Sequence, residues 1–155
     1  MHKYRKLIIR VVAILLIVTL VPPMGASASS VQQSLPRASD YLDSYNTYPY
    51  NAAFGKIRIY FDVTGVKYMD DIGVLTIQLF ESTDQETWTW VKTYKHDSYS
   101  NMLGHNKIYH SGYVEYSGSI GRYYKAYVTI WAGSGNVGDT RYMWTQPQKA
   151  TLFAG

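Results

Sequence analysis

Nine carboxylates beyond Tyr50 could do acid–base work: Asp62, Asp70, Asp71, Glu81, Asp84, Glu86, Asp97, Glu115 and Asp139. Glycoside hydrolysis needs two carboxyl groups on one cleft, about 5–9.5 Å apart, and spacing along this chain pairs none of them. Asp70 and Asp71 with Asp62 offer oxygens to a calcium ion, but no EF-hand or nonapeptide spacing accompanies them. His96, His105 and His110 lack zinc-type spacing, and neither HExxH nor C-x-x-C occurs. Ser111 follows His110 without a G-x-S-x-G elbow, and no phosphate loop or dinucleotide fingerprint appears. The expectation is a protein without catalytic residues, metal or cofactor. A hydrolase built on scattered carboxylates, or on His110 with Ser111, stands as the alternative.

Aromatic residues are the stronger signal. Sixteen Tyr and four Trp occur in 155 residues, and all but Tyr4 lie beyond residue 28. Between Arg122 and Ala132, Tyr123, Tyr127 and Trp131 share one parity, and Tyr142 and Trp144 alternate on the next segment. If the two segments pair, these five rings could form a flat exposed patch. Tyr and Trp suit such a wet interface, where sugar rings stack through their C–H groups. Cross-strand aromatic pairing for stability alone is the competing role.

These rings must be held by strands. In Lys56–Thr64, Ile57, Ile59, Phe61 and Val63 fall on one face. In Val74–Glu81 the apolar set is Leu75, Ile77 and Leu79, and Trp88–Lys95 is rich in Thr and aromatics. Ile108–Ser117 is a weaker strand with Gly112 as a possible bulge. Arg122–Ala132 points Tyr124, Ala126, Val128 and Ile130 one way, and Thr140–Thr145 closes the series. Asp40–Tyr50 is expected to be extended. Turns are expected at Thr64-Gly65, Asp70–Gly73, Gly118–Gly121 and Gly133–Gly138, and a long connection at Tyr99–Lys107.

No segment has a sustained helical period. The expected fold is all-β, a single antiparallel β-sandwich of six to eight strands, immunoglobulin-like or jelly-roll-like. Tyr124 two residues before Ala126 has the parity of an immunoglobulin F strand.

Ser82–Trp88 resembles the Asp-box hairpin of sialidases and other secreted β proteins, one residue short and without its glycine. Side-chain-to-backbone bonding by Asp84 would account for it as a fold element.

The N-terminus reads as an export signal. Lys3, Arg5, Lys6 and Arg10 precede an apolar run from Val11 to Val21, and Ala26-Ser27-Ala28 offers a cleavage site before Ser29. The run is shorter than a membrane span requires. The expected organisation is signal peptide 1–28, lead-in 29–39, β domain 40–146 and tail 147–155. The leader holds four of the fifteen basic residues, so the eleven that remain equal the eleven acidic ones. A neutral mature chain gives no general attraction to nucleic acid or anionic membrane. The chain has no cysteine, so neither disulfides nor a lipoprotein anchor is expected. A secreted protein, free or loosely held at a Gram-positive cell surface, fits these features.

Arg37–Leu42, Gly55-Lys56-Ile57, Met69–Gly73, Glu81–Asp84 leading to Trp88, Trp90–Tyr94 and Gly121–Ala126 together resemble a family of small secreted Firmicutes proteins known as a domain of unknown function. The resemblance spans about Arg37 to Thr145. It implies export and one compact domain, and carries over no activity and no site residues.

The function expected from the sequence is a non-catalytic binding or structural module whose partner is a glycan or cell-wall polymer, met by Tyr123, Tyr127, Trp131, Tyr142 and Trp144. A self-assembling or protein-interaction domain is a further alternative.

Overall fold

Alternation of apolar and polar residues dominates the chain from Leu42 onward, and the backbone follows it into strands. A computed structural model describes residues 39–155. The expected export signal and its expected Ala28–Ser29 cleavage site lie outside the described residues. The strands are β1 (Leu42–Asn51), β2 (Lys56–Ser82), β3 (Thr89–Lys95), β4 (Leu103–Ser117), β5 (Tyr123–Ser134), β6 (Val137–Trp144) and β7 (Gln148–Lys149), with one 3-10 turn at Ser100–Met102. All seven are antiparallel members of one sheet that curls into a half-barrel. The expectation of an all-β antiparallel fold holds. In place of the two sheets expected of a sandwich there is one continuous ladder.

The reason is β2, whose 27 residues run through two positions where turns were expected. Its first half pairs with β1 on one side and β4 on the other; its second half pairs with β5 and β3. At Ile72 the partners are Gly104 of β4 and Ala132 of β5, so both halves share one unbroken backbone. Thr64-Gly65 and Asp70–Gly73 do not reverse the chain. The first opens a register slip against β4, between Thr64 and Met69; the second stays in regular register with β4 and β5, and the slip against β5 follows it, between Val74 and Thr76. Bulges bend a strand and increase its twist, and here they bring both halves of β2 onto a common core.

The inward parity changes twice along β2, between Met69 and Ile72 and again across the slip after Val74. Ile57, Ile59, Phe61, Val63 and Met69 are buried, then Ile72 and Val74, then Ile77 and Leu79. Leu75, expected inside, is only half-buried because the second bulge follows Val74. Tyr124, Ala126, Val128 and Ile130 of β5 are all fully buried, as their alternation predicts. The Tyr124 hydroxyl accepts from the Ser119 amide at 2.8 Å and donates to Glu81 at 3.1 Å. The Tyr94 hydroxyl donates to the Glu115 carbonyl at 2.8 Å, tying β3 to β4.

Two further boundaries differ from expectation. Gly112 pairs with Phe61 in regular register and makes no bulge, and β4 begins at Leu103, which shortens the expected connection. Gln148 and Lys149 of the expected tail pair with Tyr124 and Tyr123, and Ala150 enters the core.

The Ser82–Trp88 segment is a side-chain-stapled hairpin between β2 and β3. Asp84 Oδ1 accepts from the amides of Glu86 and Thr87, each at 2.9 Å, and from Ser82 Oγ at 2.8 Å. Ser82 Oγ in turn accepts from the amides of Asp84 and Gln85. Ser82 is buried, so Ser82→Ala strands two amide donors in place of one hydroxyl. A loss of about 1–2 kcal/mol is expected, read as a lowered urea midpoint at unchanged m-value.

Candidate functional site

Side chains on the convex side of a curled sheet have no second layer to cover them. On the second half of β2 that side carries Gln78 and Phe80, joined in register by Lys125, Tyr127 and Thr129 of β5 and by Tyr142 and Trp144 of β6. Tyr127 and Tyr142 lie nearly parallel, 6° apart with centroids at 5.9 Å. Trp144 meets Tyr127 at 4.9 Å and Phe80 at 5.3 Å. The Lys125 ammonium sits 4.2 Å from the Trp88 centroid and 4.8 Å from that of Trp144. Tyr142 and Trp144 are 62% and 49% exposed, so these rings support one another and still reach water.

The five aromatic residues singled out from sequence divide into three places. Tyr127, Tyr142 and Trp144 form the cluster just described. Tyr123 is half-buried at the start of β5, under the Lys149 ammonium at 5.3 Å. Trp131 is half-buried at the other end of the strand, where its ring covers Gly133 and Gly138. Those two glycines face each other across the β5–β6 pair, and a side chain on either would collide with the indole. Phe80, Trp88 and Lys125 belong to the cluster and went unrecognised in the sequence. Phe80 had a signal, since it opposes the Leu79 parity, but only the β2–β5 register brings it beside Tyr127.

The titratable groups are arranged differently from the expected pairings. His110 and Ser111 are consecutive strand residues and point to opposite faces, so the adjacency expected for a nucleophile and its base is not realised. His110 Nε2 hydrogen-bonds the Asn101 carbonyl at 2.8 Å, and its ring leans on Phe61. His105 Nδ1 instead meets Asp71 Oδ1 at 2.6 Å. That pair lines a hollow of about 150 Å³ with His96, Leu75, Leu103 and Trp131. Asp70 accepts from the Gly135 amide at 2.8 Å and is occupied in the fold. No group of three or more His, Cys, Asp or Glu suited to a metal ion occurs among the described residues.

Burial holds His110 below its ordinary pKa, and the charges of Lys107 and His105 push the same way. The unfolded chain therefore takes up this proton first. Stability from neutral His110 is complete above the ordinary imidazole value near 6.5 and is lost as pH falls below it. Glu115 is held low by Lys56 and Arg58, Asp139 by Ser39 and the Tyr41 amide, and Asp84 by the Thr87 and Glu86 amides. Their contribution is present above the ordinary carboxylate value and disappears as pH falls through about 4. The urea midpoint is expected to be level between pH 7 and 8, to decline below about 6.5 and to steepen below about 4. His110→Gln should remove the first decline alone; a midpoint level from pH 7 to 5 in the parent protein would contradict the role given to His110.

No protein-family model and no curated protein sequence matches the chain. Among solved structures it is similar to a family 76 glycoside hydrolase from a bovine Bacteroides thetaiotaomicron strain, with a TM-score of 0.31 and 14% identity over 68% of this chain and 20% of that one. The chain thus spans about a fifth of the hydrolase's length.

Proposed function

We propose that the protein is a non-catalytic binding module for a glycan or cell-wall polymer, acting outside the cell as one of the small secreted Firmicutes proteins it resembles. The observation that supports this reading is the exposed face of Phe80, Tyr127, Tyr142 and Trp144, held on paired strands. Aromatic rings held by one another on a rigid sheet offer apolar surface to sugar C–H groups, and little side-chain entropy is lost on binding. Lys125, set against two indoles, adds a donor for ring hydroxyls or for acidic groups of a polymer.

The test is co-sedimentation of the purified protein with cell walls and insoluble polysaccharides. Saturable binding supports the reading, and absence of binding to every polymer reduces the face to sheet packing. A hydrolase remains the second reading because Asp71 and His105 converge beside Trp131. Release of soluble sugar from a polymer, abolished in His105→Ala, would establish it in place of the first.

A further inference from the structure

The other half of the sheet has its own aromatic face, which the proposed function does not use. On the outer side of β1, β2 and β4 the register sets Tyr48, Tyr60 and Tyr113 in one row, Asp62 beside Ser111 in the next, and Thr64 beside Tyr109 beyond it. Tall rings thus stand on both sides of a low polar row. Tyr109 and Tyr113, four residues apart on one strand, are separated by about 13 Å along it. Between them lies a cleft of about 300 Å³, lined by Tyr48, Tyr60, Asp62, Tyr109, Ser111 and Tyr113. That is the lower end of the size range of small-molecule sites. Tyr48, Tyr109 and Tyr113 are 45%, 50% and 40% exposed, so their rings reach both the cleft and solvent.

The charges around the cleft leave one carboxylate over. Glu115 takes both nearby cations, Lys56 at 3.0 Å and Arg58 at 2.8 Å. Lys107 lies in β4 across the register slip from Tyr109, and no ion pair engages Asp62 among the described residues. The tyrosine wall already receives a cation from its far side, since the Arg58 guanidinium carbon lies 4.7 Å from the Tyr113 centroid. Ring faces carry negative electrostatic potential, and aromatic walls around a carboxylate favour an organic cation over a neutral group of the same shape.

We propose that this cleft is a second binding site, for an organic ammonium group. Tyr48, Tyr60, Tyr109 and Tyr113 supply the walls, Asp62 the counter-charge and Ser111 a hydroxyl acceptor. A quaternary ammonium and the primary ammonium of an amino sugar share this chemistry. The site is independent of the Trp144 face and does not rest on the polymer-binding reading.

The experiment is an NMR titration of the purified protein at low salt. Choline is compared with 3,3-dimethylbutan-1-ol, its uncharged isostere, and glucosamine with N-acetylglucosamine. Saturable shifts of the Tyr109 and Tyr113 ring signals are expected with a cation, at least about tenfold tighter than with its neutral counterpart. The tighter of choline and glucosamine identifies the source. Asp62→Asn, an outward-facing change, should weaken the cation about tenfold and leave the neutral probe unchanged. Tyr113→Ala should weaken it as well, whereas Trp144→Ala should not. Equal binding of charged and neutral probes, undiminished cation binding in Asp62→Asn, or no saturable shift at these tyrosines would overturn the proposal. None of those results would touch co-sedimentation with polymers.

Discussion

Gly73→Ala is expected to cost about 3–5 kcal/mol, a large share of a small domain's stability. Gly73 sits where β2 changes partners, paired with Leu103 of β4 and Trp131 of β5. Its φ is +145°, and a Cβ there would stand 2.2 Å from the Met102 carbonyl oxygen and 3.0 Å from the His110 ring. Two costs combine. A side chain in this region of backbone space is strained by about 1–3 kcal/mol. The overlap with a backbone oxygen then forces β2 and the segment before β4 apart, at about the cost of an overpacked core. Gly135→Ala provides the comparison, because its φ is +61° with open space where the methyl would go. There only the strain applies, about 1 kcal/mol. Urea unfolding of the two variants separates the contributions, and equal losses at both positions would mean that the β2 crossing tolerates the methyl.

Trp144→Ala is expected to weaken polymer binding about 30-fold, corresponding to about 2 kcal/mol for an aromatic anchor. Phe80, Tyr127 and Lys125 hold the indole in place before any ligand arrives, so removal deletes contact area and leaves its neighbours less well ordered. With half of its surface already in solvent, little folding stability should be lost. Trp131→Ala should behave in the opposite way. Its indole covers Gly133 and Gly138, and its removal should cost about 2–3 kcal/mol of stability with binding largely kept. Affinity measured by depletion and stability by urea unfolding distinguish the two. Loss of binding in Trp131→Ala with Trp144→Ala unaffected would move the contact surface to the far end of β5.

Much of the local structure was legible because period-two alternation survives wherever one face of a strand is buried. Ile57 to Val63 and Tyr124 to Ile130 are the plainest cases, and their inward faces are the ones the alternation indicates. The Ser82–Trp88 hairpin was also legible, since its bonds run from side chains to backbone only a few residues away. Thr64-Gly65 misled because glycine marks bulges as well as turns, and Asp70–Gly73 because its glycine marks a close approach of β2 to the Met102 carbonyl. Whether such residues reverse a chain or only bend it depends on the strands that pair alongside.

By itself, the sequence determined an all-β antiparallel protein, the inward faces of its regular strands and a surplus of rings on the outward faces. All three follow from properties local to a strand. Tertiary structure decided which rings meet. Tyr127, Tyr142 and Trp144 come together with Phe80, Trp131 goes to its glycines, and Tyr60 and Asp62 find Tyr113 and Ser111. The physical reason is register. A side chain's face is set by its own parity, but its neighbours are set by bulges and by which strand hydrogen-bonds beside it, over separations of about 50 residues along β2, β4 and β5.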